Sequence, residues 1–198
     1  MHILERAQLR LLFLFSSWAG YPILRLCGVA FGKELSLAGL PIISKFPGST
    51  ISIGSRVVLC SSSIATALGV NHPAILRTLT KNATIEIGDD VGMSGGSICA
   101  GRHVAIGARS MLGANVMIAD TDFHDFSQTE RRYAGVPKDN LFMPTLIDEN
   151  VFLGANTIVL KGVKIGKNSV IGAGSVVTRD IPENVIAAGN PCKIIKEL

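Results

Sequence analysis

An aliphatic residue returns every six positions through much of this chain. From Ile147 the lead positions run Ile147, Leu153, Val159, Ile165, Ile171 and Val177 without a slip. Ile106, Leu112 and Ile118 keep the same step ahead of an interruption. Ile87, Met93 and Cys99 do so earlier, with a one-residue slip between Cys99 and Ile106. Gly or another small residue usually follows the lead. Six matches neither the 3.6-residue period of an amphipathic helix nor the alternation of a long strand. It fits short strands joined by tight corners, each lead side chain pointing inward and the small residue letting the backbone turn. Stacked coils of this kind bury a continuous aliphatic column that no single repeat can bury alone. Ile51 to Cys60 reads as a first coil. A protruding loop near Gly69–Pro73 and a poorly formed coil follow, because Ile75 and Ile87 are in phase while Lys81 falls on the lead position between them. The repeat domain is expected over 46–190. The chain then leaves the rhythm through Gly-Asn-Pro into a short tail, 191–198.

Residues 1–45 have a different character. Arg10 and Arg25 bracket an apolar run of fourteen residues that contains Pro22. A spanning helix needs about 20 apolar residues, and no signal-peptide cleavage pattern is evident. Two readings stand: a helix packed on the domain or on a neighbouring subunit, and an interfacial helix. The second makes the protein peripheral to a membrane, with Phe13, Phe15 and Trp18 toward lipid and Arg6 and Arg10 toward headgroups.

Composition narrows the function classes. At 198 residues the chain fits one domain, and 47% hydrophobic against 17% charged residues argues against disorder. With 21 glycines and 6% aromatics, thin aliphatic layers and many turns are expected. A net charge of +4 without a basic stripe gives no case for nucleic acid. The region from Val151 onward is locally basic and suits a phosphorylated ligand. Cys27, Cys60, Cys99 and Cys192 lie far apart, without zinc spacing or a disulfide framework, so a reducing cytoplasm, up to the inner membrane face, is the expected setting.

The rhythm stops at ADTDFHDFSQTERRYAG, residues 119–135. The IG-x-x-S/V repeats, this DTDFHDF break and the closing VIGAGSVVTRDIPENVIAAGNPCKIIKEL together resemble the hexapeptide-repeat acyltransferases. Within them the chain is most similar to the branch of galactoside and maltose O-acetyltransferases and the O-acetyltransferases of bacterial surface polysaccharides. That resemblance implies a left-handed parallel β-helix, a homotrimer with sites between subunits, acetyl-CoA as donor, no required metal, and a sugar hydroxyl as acceptor. Left-handed crossovers depart from a rule that holds for roughly 98% of parallel connections, and spacing alone does not predict them.

Acyl transfer from a thioester to a hydroxyl needs a base for the hydroxyl proton and a donor for the developing oxyanion. Histidine suits the first task, since its ordinary pKa leaves neutral imidazole at cellular pH. The family carries its catalytic histidine where the repeat breaks into a long loop, and His124, in the loop 119–145, matches that place. Asp122, Arg131 and Arg132 are candidates for holding the acceptor or orienting the base. Ser94 falls roughly where sugar-acetylating members place an asparagine, a departure that leaves acceptor specificity open. For coenzyme A the resemblance implies Phe152 beside the thiol arm and Gly154, Ala155 and Ala173 along the pantetheine. It puts Thr178 and Arg179 at the nucleotide, and Lys193 and Lys196 near phosphate. His2, His72 and His103 rank below His124. N-acylation of an amino sugar or sugar nucleotide, and a non-catalytic binding scaffold, are the competing functions.

Overall fold

The computed structural model describes residues 3–127, 129, 130, 132, 133 and 141–198. A helix, Ile3–Leu26, leads into stacked triangular coils whose short strands form three parallel sheets, here faces A, B and C. Among the described residues faces A and C hold six strands each and face B holds eight, the last of them antiparallel. The winding is that of a left-handed β-helix, as expected. The lead residues fill its centre in register: Ile147 stacks on Ile106 and Ile165, Leu153 on Leu112 and Ile171, and Val159 on Ile118 and Val177. Leu153, Ile165, Ile171 and Val177 are fully buried. At about 25 cal/mol per Å² of apolar surface, this column is the main favourable term of the fold.

The coils begin earlier than the hexapeptide rhythm suggests. Ala30–Phe31, Ser36–Ala38 and Ile42–Ser44 form a coil of their own, stacked on the next through Phe31 to Ile53, Leu37 to Leu59 and Ile43 to Leu76. Two lead positions also differ from expectation. Leu76, not Ile75, points inward, and Ile98, not Cys99, stacks on Ile118. The segment after the 62–73 loop is well formed, with four-residue strands at Ile75–Thr78 and Thr84–Ile87, and Lys81 is an exposed corner residue. The terminal residues likewise form a strand, Lys193–Glu197, antiparallel to Val185–Ala188 beyond the turn.

The three edges of the triangle are unlike one another. Every step from face A to face B is six residues, from Phe31 to Leu37 through Ile165 to Ile171. Three positions past each face-A lead sits a residue with left-handed backbone: Glu34, Arg56, Asp90, Arg109, Asn150, Asn168 and Asn184 all have φ between 56° and 61°. Their side chains lace the edge. Arg56 meets Asp90 in two hydrogen bonds of 2.6 and 2.7 Å, Arg109 pairs with Glu149, and Asn150, Asn168 and Asn184 form a ladder of 2.9 Å bonds. The strain of φ > 0 is smallest for Asn and Asp among side-chain-bearing residues. The glycine after the lead has another task. A Cβ on Gly107 would lie 2.5 Å from the backbone of Asp148 and Glu149 in the next coil. Coil-to-coil approach, not the turn, demands glycine there.

The edge from face C back to face A absorbs extra length. Its steps run from Ile43 to Ile53, Leu76 to Ile87, Ile98 to Ile106 and Ile118 to Ile147, each longer than six. The last of these is the interruption.

Candidate functional site

The interruption starts from a buried carboxylate. Asp120, two residues past the lead Ile118, is fully buried and accepts backbone N–H bonds from Gly101, Arg102 and His103 at 2.6, 2.6 and 2.7 Å. Three amide donors around one carboxylate offset the cost of burying its charge. The extra residues at 101–103 exist to present those amides, and they displace the lead from Cys99 to Ile98. Asp120 also raises the neighbouring Cys99 thiol. Burial first, then the Asp120 charge, push its pKa up to about 11, against a lowering by Arg77. At pH 8 its thiolate fraction is about a hundredfold below that of an ordinary thiol. Alkylation of Cys99 by iodoacetamide in the folded protein is expected to be slower by at least that factor, as measured by peptide mass mapping.

Beyond Asp120 the chain turns outward. Thr121 Oγ accepts from the Phe123 N–H at 3.0 Å, Phe123 takes a left-handed φ of 63°, and the His124 N–H donates to the Asp122 carbonyl at 2.7 Å. The His124 side chain is thereby left exposed at the edge between faces C and A. Asp122 pairs with Lys161 on the next coil, and the Lys161 ammonium lies 5.7 Å from the Phe126 ring centroid. These contacts hold both sides of His124 against the stack. Asp122→Asn and Lys161→Met are each expected to lower turnover a few-fold, and the double mutant no further. A double-mutant cycle on kcat, with additivity as the contrary result, checks the coupling.

The return limb closes on the same corner. Phe142 is buried with its ring against Gly101, where a Cβ would lie 2.1 Å from the ring. The Met143 N–H donates to the Asp120 carbonyl at 2.9 Å, and Thr145 Oγ donates to the Ala119 carbonyl at 3.2 Å. Arg132 is exposed, its guanidinium 5.8 Å above the Tyr133 ring. Arg131 lies outside the described residues.

A shallow groove on face B gathers a second set. Cys60, Gly92, Ser94, Met111, Gly113 and Phe152 line it. Ser94 is half-buried beside the Cys60 thiol, which burial raises and a hydrogen bond with Ser94 lowers in part. Phe152 points outward from face B next to Met111. Ala155 and the exposed Ala173 follow along the edge between faces B and C, with Lys193 on the strand paired beside Ala188. Gly154 is different. Its N–H donates to Ile171 O at 2.8 Å and its carbonyl accepts from Thr157 Oγ, so both groups serve the stack. Thr178 and Arg179, exposed, come after the last face-C strand, at the opposite end of face C from Ala173. Lys196 lies further out, opposite Ile186.

Within one chain the structure therefore makes two groups. His124, Asp122, Thr178 and Arg179 occupy the C-to-A edge. Ser94, Phe152, Ala155, Ala173 and Lys193 line face B and its border with face C. His72 and His103 stand apart from His124 in their bonding. His72 Nδ1 contacts its neighbour's carbonyl, Pro73 O, at 2.7 Å, and His103 Nδ1 contacts Thr84 Oγ1. Sequence reasoning missed Asp120 as the anchor and Lys161 as the partner of Asp122. The longer corner at 101–103 was the available signal for the first.

Residues 144–179 match the family described as the hexapeptide repeat of succinyl-transferase. A galactoside O-acetyltransferase from Lactococcus lactis is 47% identical over 95 residues, 48% of this chain and 44% of that enzyme. A 2,3,4,5-tetrahydropyridine-2,6-dicarboxylate N-acetyltransferase from Clostridium perfringens is 51% identical over 65 residues, 33% of this chain and 28% of its own length. Among solved structures, an N-acyltransferase from Bacillus cereus in complex with dTDP and coenzyme A superposes with a TM-score of 0.60 at 21% identity. That match covers 89% of this chain and 87% of the other, and it shows the fold. The chain spans less than half the length of the curated relatives it matches. It is a left-handed β-helix carrying the hexapeptide repeat, and its repeat-bearing part resembles sugar O-acetyltransferases.

Proposed function

We propose that this chain is an acetyl-CoA-dependent O-acetyltransferase acting on a sugar hydroxyl of a surface polysaccharide or its precursor, with His124 as general base. The observation that carries the reading is the anchored interruption: the longest departure from the stack, between Ile118 and Ile147, is pinned at Asp120 and presents an exposed imidazole. Relatives named as galactoside O-acetyltransferases, 47% and 40% identical over their matched stretches, support the reaction class. The imidazole takes the proton as the acceptor oxygen attacks the thioester carbonyl. A C–O bond forms, the C–S bond breaks, and the imidazolium returns that proton to the departing thiolate.

The two residue groups at opposite ends of face C become one site if copies of the chain associate. Outward side chains support a homotrimer. Met111 and Phe152 on face B and Met117 on face C are exposed apolar residues, whereas face A presents Ser52, Glu86 and Lys164. In this arrangement the His124 loop of one copy lies over the face-B groove of its neighbour. Phe152, Ala155, Ala173 and Lys193 hold the thioester arm, the donor's phosphates lie among Thr178, Arg179, Lys193 and Lys196, and Ser94 and Arg132 face the acceptor.

A screen of CoA release from acetyl-CoA across free sugars, sugar nucleotides, amino sugars and amino acids tests the proposal. Release with hydroxyl acceptors, and an ester in the product by mass spectrometry, is expected. Amide product alone would move the protein to N-acylation. CoA binding without release on any acceptor would leave a scaffold.

A further inference from the structure

The N-terminal helix carries a face that the reaction does not use. Ser16, Gly20 and Leu24, four residues apart, are buried against the first coil. Ser16 Oγ accepts from the Gly39 N–H at 2.9 Å, Ser17 Oγ from the Leu37 N–H at 3.0 Å, and the Tyr21 hydroxyl donates to Leu35 O. A Cβ on Gly20 would lie 2.3 Å from the Leu37 side chain. The helix is thus fixed in rotation as well as in place. Two positions on from each buried residue, nearly opposite on a 3.6-residue helix, stand Trp18, Pro22 and Leu26. Leu11, Leu14 and Phe15 continue that side toward the N-terminus. Exposure runs from 52% at Leu11 to 78% at Trp18 and 87% at Leu26. Phe13 borders Arg6, Leu9, Arg10 and Leu14, and two residues from Phe15 on a 3.6-residue helix it does not share that residue's face.

We infer that this stripe is a docking surface for an anionic lipid membrane, on which the helix lies in the interface plane. Charge selects that occupant over a second copy. The helix Ile3–Leu26 contains Arg6, Arg10 and Arg25 against one acidic residue, Glu5. Like-charged copies repel along such a seam, while anionic headgroups attract each arginine. The chemistry fits the plane of an interface: a long apolar stripe, an indole within it and basic residues around it. Among the described residues no helix is long and apolar enough to cross a membrane.

Trp18 is the sole tryptophan of the chain, so its emission reports the stripe directly. The full-length protein is titrated with vesicles of phosphatidylcholine alone and of phosphatidylcholine with about one third phosphatidylglycerol. A blue shift on the anionic vesicles, with quenching by brominated acyl chains, is expected. Arg6→Gln/Arg10→Gln should weaken that binding roughly 10- to 30-fold, and Leu14→Gln/Phe15→Gln should abolish the shift while circular dichroism stays unchanged. Equal binding to both vesicle types, or no shift, overturns the inference. So does blue emission shielded from acrylamide in the free protein, which would put a second copy on the stripe. None of these readings depends on acetyl transfer.

Discussion

Replacing His124 by alanine is expected to lower kcat for acetyl transfer by about 10²–10⁴, the usual worth of a positioned general base. Affinity for coenzyme A, by calorimetry, should change less than twofold, and the oligomeric state in sedimentation should be unaltered. The side chain is exposed and takes no part in the stack, so little structural loss can confuse the result. His124→Gln keeps polarity and approximate size but cannot take the proton at neutral pH. It should be as inactive as the alanine variant. Turnover near wild type in either variant would remove His124 from the chemistry. Loss of CoA binding with the chemistry intact would place it in binding instead. The Asp122 and Lys161 variants then serve as a calibration, since they disturb the loop and leave the imidazole present.

Asp120→Ala should be the most destabilising polar substitution in the chain, by about 3–5 kcal/mol. It leaves the Gly101, Arg102 and His103 amides without their acceptor in a buried corner. Asp120→Asn preserves shape but turns an N–H₂ toward amide donors, and should cost about 2 kcal/mol or more. Leu153→Ala is the control. It removes a fully buried lead side chain at a similar cost, about 2–5 kcal/mol. Its effect is on the column, not on the loop. Thermal unfolding should therefore rank Asp120→Ala and Leu153→Ala together, while activity per folded molecule falls only in the Asp120 variants. Equal activity in all of them would show that Asp120 merely stabilises the corner.

Much of the core was legible because a buried column repeats itself. Six consecutive leads from Ile147 to Val177 are the inward residues of the structure. The errors share a cause. At Ile75–Leu76 and Ile98–Cys99 two apolar residues adjoin, and a fixed period cannot choose between them once a nearby corner changes length. The first coil, with Phe31, Leu37 and Ile43 also six apart, was obscured by the helix before it and the ten-residue step to Ile53. For the candidate site, the break in rhythm and the family resemblance pointed to His124, which the structure leaves exposed. The role of Asp120 was hidden because its partners lie 17 to 19 residues upstream. Asp120, Asp122 and Asp125 look alike in sequence, and only burial separates Asp120 from Asp122. Gly154 shows the converse. The family resemblance put its backbone along the pantetheine, while its N–H, carbonyl and missing Cβ serve the packing of the coils.

The laced edge and the variable edge also bear on how such a protein changes over time. The A-to-B edge permits no insertion, since one added residue would move its left-handed position off the ladder and shift every coil above it. The C-to-A edge has accepted additions in four successive coils and kept the column in register. The B-to-C edge carries the 62–73 loop between Leu59 and Leu76 in the same way, so heredity can edit two margins of the molecule while the spine is copied unchanged. Under the proposed activity, a different acceptor would then need only a different lip, with no need to redesign the fold.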